Sequence, residues 1–451
     1  MIPDLAARTT RHRIVGGLAL FAALYNSVAP SMLYAGFQSR WHLGEAMTSL
    51  MFAVYALGAA ATLLANLALR RFGGSVAGRM RMRIGLISLV GSGICLIWAG
   101  SPQIVLLGRL LGGIGAGLLT AEASALIRAS YGEGMDGNRA TARLATMAFT
   151  GGAIMAPATY VVLTETGLQA GPILMAIDLA LACTTLALAM LWVRPAVTAM
   201  LEHARHPSAP GAIPPAALSS GQAAEQPGHR SAAPIILTAS RRTEPSDFPR
   251  AAACLILSWA MGGLYLSIVP MRLVTKVEIA PTLFLALMIM MFQCFGFLGQ
   301  TVELRHLRAR GARLKAGLIL TAAMIPASAA AVATGSTLAL LGATAATGFG
   351  YGMIFVDAVA LAAATFQRPG KAHFAQLFYL LGYLGQFLVV TLIGAILDQT
   401  GGSRLGYATA IWAVLLSDLL LLAWSVIATR RAARAPVPDG PQRENKPDGR
   451  S

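Results

Sequence analysis

Long apolar runs separated by short polar stretches dominate this chain. About twelve runs of roughly 20 residues can be marked off, each suited to a helix crossing a hydrocarbon layer roughly 30 Å thick. They fall near 14–36, 47–69, 83–101, 104–127, 144–164 and 171–193, then near 251–272, 280–301, 314–334, 337–361, 374–397 and 406–428. The pattern lapses once in the interior, where Pro207, Pro210, Pro214, Pro215, Pro227 and Pro234 stand among Ala, Ser, Gly and His. Such a stretch cannot bury a core and is expected to be a flexible linker. The predicted organisation is an all-α membrane protein: a six-helix bundle over 1–193, a linker over 194–249, a second six-helix bundle over 250–428, and a disordered polar tail over 429–451.

The two sets of six spans are copies of one unit. Gly113, Gly115 and Gly117 with Glu122, Ala123 and Ala125 return as Gly348, Gly350 and Gly352 with Asp357, Ala358 and Ala360, each 235 positions later. Pro30 and Leu33 return as Pro270 and Leu273, and Met51-Phe52 as Met291-Phe292, at an offset of 240. The fifth and eleventh spans end alike, in Thr164-Glu-Thr-Gly167 and Asp398-Gln-Thr-Gly401. Twelve transmembrane helices in two pseudo-symmetric bundles follow, and repetition of this kind places a solute site between the halves, near mid-membrane.

Composition agrees: 56% hydrophobic residues, 12% charged and a mean hydropathy of +0.64 over 451 residues exclude a soluble chain. The net charge of +16 would suggest nucleic acid in a soluble protein. Here roughly 30 of the Lys and Arg fall in the termini and even-numbered loops against about four in the odd-numbered ones, the asymmetry that marks the cytoplasmic side. Both termini are therefore expected in the cytoplasm, in an inner or plasma membrane, with the lipid bilayer as partner and no nucleic acid. Cys95, Cys183, Cys254 and Cys294 sit within spans without metal or redox spacing and are expected to be packing residues. All seven histidines are expected in loops or tails, and no metal or nucleophile constellation appears in the spans. Neither enzyme activity nor a cofactor is expected.

Arg109 is the only basic residue more than a turn inside a span, and a lone guanidinium in hydrocarbon must face a partner or water within the bundle. The segment Arg109-Leu-Leu-Gly-Gly-Ile-Gly-Ala-Gly117 closely resembles the arginine-and-glycine motif of the fourth helix in the major facilitator superfamily of secondary transporters. Arg71, Gly73 and the later arginines match that family's loop between the second and third helices, although Asn66 replaces its first glycine and Arg70 its acid. Gly152 and Pro157 in the fifth span are reminiscent of a motif that the family associates with antiporters. The resemblance covers nearly the whole chain except the linker and tail.

The resemblance implies that the first, fourth, seventh and tenth helices line a central cavity, which points at Tyr25, Asn26, Arg109, Trp259, Tyr265, Tyr351 and Asp357. Asn26 suits either the cavity or a hydrogen bond between helices. On the eleventh span Gln376, Tyr379, Tyr383 and Gln386 fall within one helical stripe, suited to flat or amphipathic solutes or to plain packing. Glu122 and Asp357 are open to two readings, proton site or gate. At about 100° per residue Glu122 stands roughly 140° from Arg109, so the two cannot face one narrow cavity. A gate would pair these acids with loop arginines such as Arg70 and Arg71, beside Gly73, or Arg308. Asp178 and Asp418 lie in the sixth and twelfth spans, which the family places outside the cavity wall, and are assigned no repeat partner. The reading is a monomeric, proton-coupled exporter of a small organic molecule, a drug or metabolite. Proton-driven uptake of a metabolite and a non-transporting sensor are the alternatives.

Overall fold

A computed structural model describes residues 2–71, 78–131, 135–193, 247–273, 280–302, 311–366, 373–401 and 403–434. Among these, twelve helices are long and apolar enough to cross a membrane. They are α1 (Thr9–Trp41), α2 (Glu45–Ala68), α3 (Gly78–Ile97), α4 (Pro102–Tyr131), α5 (Arg143–Glu165), α6 (Ala170–Trp192), α7 (Asp247–Pro270), α8 (Leu283–Thr301), α9 (Ala312–Ala331), α10 (Thr337–Ala363), α11 (Phe374–Gln399) and α12 (Ala408–Arg430). A described helix begins at Asp247, and the last described helix ends at Arg434. Residues 194–246 and 435–451, which carry most of the expected linker and tail, lie outside the described residues.

The helices pack in the same pairs in each half: α4 against α1, α2 and α3, with α3 on α6; then α10 against α7, α8 and α9, with α9 on α12. Lipid tails are as apolar as leucine, so helices in a bilayer associate through close van der Waals approach more than through escape from water. The repeated glycines supply that approach. A Cβ on Gly113 would collide with the Tyr55 carbonyl of α2, and one on Gly348 with the Phe292 carbonyl of α8. Gly115 faces the Gly85 carbonyl of α3 as Gly350 faces the Gly317 carbonyl of α9. Helices α5 and α11 also stop alike: Gly167 (φ 71°) and Gly401 (φ 59°) take the left-handed conformation, and their N–H groups donate to the carbonyls of Thr164 and Asp398, each at 3.0 Å.

Between the halves, α2 packs on α11 and α5 on α8. One apolar cluster is common to both halves and includes Met51, Phe52 and Leu174 with Leu264, Ile289, Val390 and Leu397. These residues lie toward the end of the molecule away from the N-terminus. At the end that carries the N-terminus each half has its own cluster, Leu20, Leu86, Leu119 and Ile127 in one, Leu255, Leu318, Ala358 and Phe378 in the other. At that end, then, the buried apolar core is split in two.

Helix α1 bends where Pro30 enters a 3-10 turn, Ala29–Leu33. Proline has no N–H, so the Asn26 carbonyl four residues earlier loses its helical donor. The histidine expectation fails at one position: His12 lies within α1 and is buried, because the helix starts ahead of the apolar run that marks it in the sequence.

Candidate functional site

Arg109 is 1% exposed and meets no carboxylate directly. Its Nη1 donates to the carbonyls of Asn26 (3.2 Å) and Ser27 (2.9 Å), and its Nε to that of Met51 on α2 (3.2 Å). The guanidinium therefore occupies the Asn26 carbonyl that Pro30 leaves without a helical donor, together with the neighbouring Ser27 carbonyl and that of Met51 on α2. Its Cζ lies 4.7 Å from the Tyr55 ring centroid and 5.6 Å from that of Phe52, cation–π distances that help a desolvated charge. Its Nη2 is buried and makes no hydrogen bond in this conformation.

Beside it stands an acid that sequence reasoning left without a role. Asp178 of α6 is 1% exposed and accepts a 2.6 Å hydrogen bond from Asn26 Nδ2. Ser92 Oγ of α3 donates to Asn26 Oδ1 at 3.2 Å, and Asp178 lies in the electrostatic field of Arg109. Asn26 thus touches Asp178 with its side chain and Arg109 with its main chain. Gly112 leaves the room: a Cβ there would run into Asn26 Oδ1 and stand 3.0 Å from Ser92 Oγ. Asn26 therefore makes a hydrogen bond between helices.

The second half holds aromatic residues instead. Trp259 packs on Tyr383 (centroids 4.4 Å apart), Tyr379 (6.0 Å) and Phe355 (6.4 Å). Tyr351 continues from Phe355 (6.5 Å) to Phe292 (5.0 Å), on which Tyr265 stacks at 4.7 Å. Gly263 lets α2 come close, since a Cβ there would lie 3.1 Å from Phe52 Cε1 and 3.2 Å from Gln386 Nε2. Tyr383 in turn lies within electrostatic reach of Tyr55. Phe52 and Tyr55 thus lie near Arg109, and Phe52 also lies against Gly263 of α7. Tyr25 is buried in the first half, stacked on Phe21 at 6.2 Å.

Glu122 and Asp357 are placed apart from this centre. Glu122 pairs with Arg81, whose Nη2 is 2.6 Å from Oε1 and whose Nε donates to it at 2.7 Å, at the start of α3. Among the described residues Arg81 meets Glu122 because α3 begins beside it, with Gly78 packed against its carboxylate. The side chains of Arg70 and Arg71, and Gly73 and Arg308 altogether, lie outside the described residues. Asp357 accepts the Leu314 backbone N–H at 2.9 Å, at the start of α9, where helix N–H groups have no partner of their own. Neighbouring Arg313 donates to the Gly299 carbonyl of α8. The repeated acids thus do repeated work, each holding the first turn of the third helix of its half.

Asp418, 0% exposed, has the position in α12 that Asp178 has in α6, and accepts a 2.5 Å hydrogen bond from Thr321 of α9. The absence of a repeat partner is corrected here: 178 and 418 differ by 240, the offset of the two prolines, so the acids are partners of one another. An apolar groove of about 470 Å³ between α7, α11 and α12, lined by Ile256, Met261, Ile393 and Leu421, holds none of the residues singled out from the sequence.

Comparison with known proteins fits this architecture. The model of the Major Facilitator Superfamily matches residues 14–388. A POT family transporter solved with 5-aminolevulinic acid superimposes with a TM-score of 0.68 at 11% identity, covering 93% of this chain and 96% of that one. A POT family transporter in complex with a thioalcohol-conjugated peptide gives 0.65 at 12%, covering 94% and 96%. A bacterial homolog of the human lysosomal transporter Spinster, inward-facing and occupied, gives 0.56 at 14%, covering 93% and 96%. A search of curated proteins returns no match.

Proposed function

Because the chain belongs to the major facilitator superfamily, a family of secondary transporters, we propose that it exports a small organic solute in exchange for protons. The two halves rock about the place where the Arg109 centre meets the aromatic seam. The observation that carries this reading is Phe52, which lies beside the buried Arg109 guanidinium and against Gly263 of α7, the helix whose Trp259 packs on Tyr379 and Tyr383. A flat or amphipathic solute suits such a wall, which offers ring faces and few polar groups, Gln386 among them. Trp259, Tyr265, Tyr351, Tyr379 and Tyr383 supply the solute's surface in this reading, and Arg109 with Asn26 and Tyr25 ties it to the bend in α1.

Export is favoured by the Gly152 and Pro157 segment of α5. A Cβ on Gly152 would strike the Phe21 carbonyl, so the antiporter-like motif lies against α1 next to Tyr25. With the arginine-rich loops in the cytoplasm, the split core faces inward and the shared cluster closes the outer side. The Glu122–Arg81 pair and the Asp357 cap then stiffen the inner ends of the two halves, and 194–249 tethers them. The test is purified protein in vesicles carrying an imposed pH gradient, challenged with a panel of fluorescent aromatic cations and neutral aromatics. Movement of a dye against its gradient, with protons moving the opposite way, is expected. Dye and protons moving together would establish uptake, and binding without movement would establish a sensor.

A further inference from the structure

We propose that Asp178 is the group that takes up and releases the coupled proton, and that it acts on the bend in α1 through Asn26 and Arg109. This rests on the proton-coupled reading above and names the site where coupling occurs. The geometry supplies the argument. Asp178, Asn26 and Arg109 come from α6, α1 and α4, are each 1% exposed, and form one connected group. Arg109 occupies the carbonyls at the bend, keeps one buried Nη2 without a hydrogen bond, and lies within electrostatic reach of the Asp178 carboxylate.

The charge accounting gives two balanced states. With the carboxylate ionised, Asp178 and Arg109 are a neutral pair and the guanidinium is drawn away from the carbonyls of Asn26, Ser27 and Met51. When a proton from the outer phase adds to the carboxylate, the neutral acid no longer competes and Arg109 returns to the carbonyls, as in this structure. The same proton leaves to the cytoplasm when the acid ionises again. Each exchange moves Arg109 relative to Phe52 and Tyr55 on α2, the helix that packs on α11 of the other half.

The groups facing Asp178 are few. Asn26 reaches it from α1, and Ser92 stands behind Asn26 from α3, which carries nothing ionisable between Arg83 and Cys95. Arg109 faces it from α4, and Tyr25 and Tyr55 lie within its electrostatic reach. Helix α5 has no Asp, Glu, Lys, Arg or His between Arg143 and Glu165. Among the described residues Arg109 is thus the one cation placed to answer the proton. Asp418 has no such partner: position 344, the repeat of 109, is Thr344, which donates to Leu340 O (2.9 Å) and Met288 Sδ (3.2 Å).

The test needs no solute beyond the proton. The full chain, with its four cysteines replaced and one spin label at the N-terminal end of each half, is reconstituted in lipid vesicles. A step of about two pH units, roughly a hundredfold in proton activity, should shift the distance distribution between the labels in the parent protein. D178N should give one distribution at both pH values, D418N should respond like the parent, and D178E should recover a response at a displaced pH. Vesicles of D178N should also lose pH-driven accumulation of a dye that the parent moves, by about tenfold or more, while exchanging that dye across the membrane at near-parental rates. A D178N protein that still answers the pH step, or that loses exchange together with accumulation, overturns the proposal. Failure of the parent to move any dye against a pH gradient would instead sink the export reading itself.

Discussion

Where the fourth helix carries Arg109, the tenth carries Thr344 at the same place in the repeat, and the surroundings differ to match. The first half bends α1 at Pro30 and sends a guanidinium from α4 to the carbonyls of Asn26 and Ser27. The second half breaks α7 at Ser267, ahead of Pro270, where the Ser267 N–H donates to the Leu264 carbonyl and its hydroxyl to the Gly263 carbonyl at 2.7 Å. One duplicated bend therefore receives two treatments, a long charged reach between helices and a short neutral one within a helix. The freed volume around α7 and α10 is filled by Trp259, Tyr351, Phe355, Tyr379 and Tyr383. The frame of close-packed glycines is common property, and what differs is the chemistry hung upon it.

The largest effect should come from removing the charged side of this contrast. Arg109→Ala removes three hydrogen bonds from a charged donor, each worth about 1.5–3 kcal/mol. Dye movement should fall by about a hundredfold or more, since roughly 1.4 kcal/mol is tenfold in rate, while membrane insertion persists. Unchanged flux in vesicles would remove Arg109 from the mechanism and reduce the contrast to packing.

The shared frame makes a matched prediction of intermediate size. Gly113→Val and Gly348→Val drive a side chain into the carbonyls of Tyr55 and Phe292 respectively, and each should cost about 1–3 kcal/mol. Thermal unfolding in detergent should show similar losses for the two. A large loss in one and none in the other would mean that the halves have diverged in frame as well as in chemistry.

The smallest effects belong to the repeated acids. Glu122→Gln weakens an ion pair whose arginine is 28% exposed, so the change should stay under about 1 kcal/mol. Asp357→Asn keeps an oxygen that can still accept the Leu314 N–H, and should also change stability by less than about 1 kcal/mol. Both variants should retain pH-driven dye movement. Loss of the pH response in Asp357→Asn would move the proton site to the second half and reverse the comparison.

Much of this was legible in the sequence because hydrocarbon is a severe solvent. Apolar run length gives the spans, and the recurrence of Gly113 and Glu122 as Gly348 and Asp357 gives the duplication before any coordinate is known. The isolation of Arg109 marks it as inward-facing, and it is 1% exposed. Its partners were harder to foresee, since a backbone carbonyl belongs to every residue alike. The one signal was Pro30, whose missing N–H exposes the Asn26 carbonyl four residues back. Asp178 was missed although its number was enough: the 240 offset that pairs Pro30 with Pro270 also pairs it with Asp418. Its contact with Asn26 spans 152 residues of chain, and nothing in local periodicity reports a bond between helices so far apart.

The apolar cluster that both halves share has a thermodynamic consequence. Prising that end apart means wetting Phe52, Ile289, Val390 and Leu397, side chains each worth about 1.5–3 kcal/mol when withdrawn from water. Parting the opposite end incurs no such penalty, because each half there keeps its own cluster. The empty carrier should therefore idle with its mouth to one side, so that loading is spontaneous and the return stroke is the one that consumes the driving gradient.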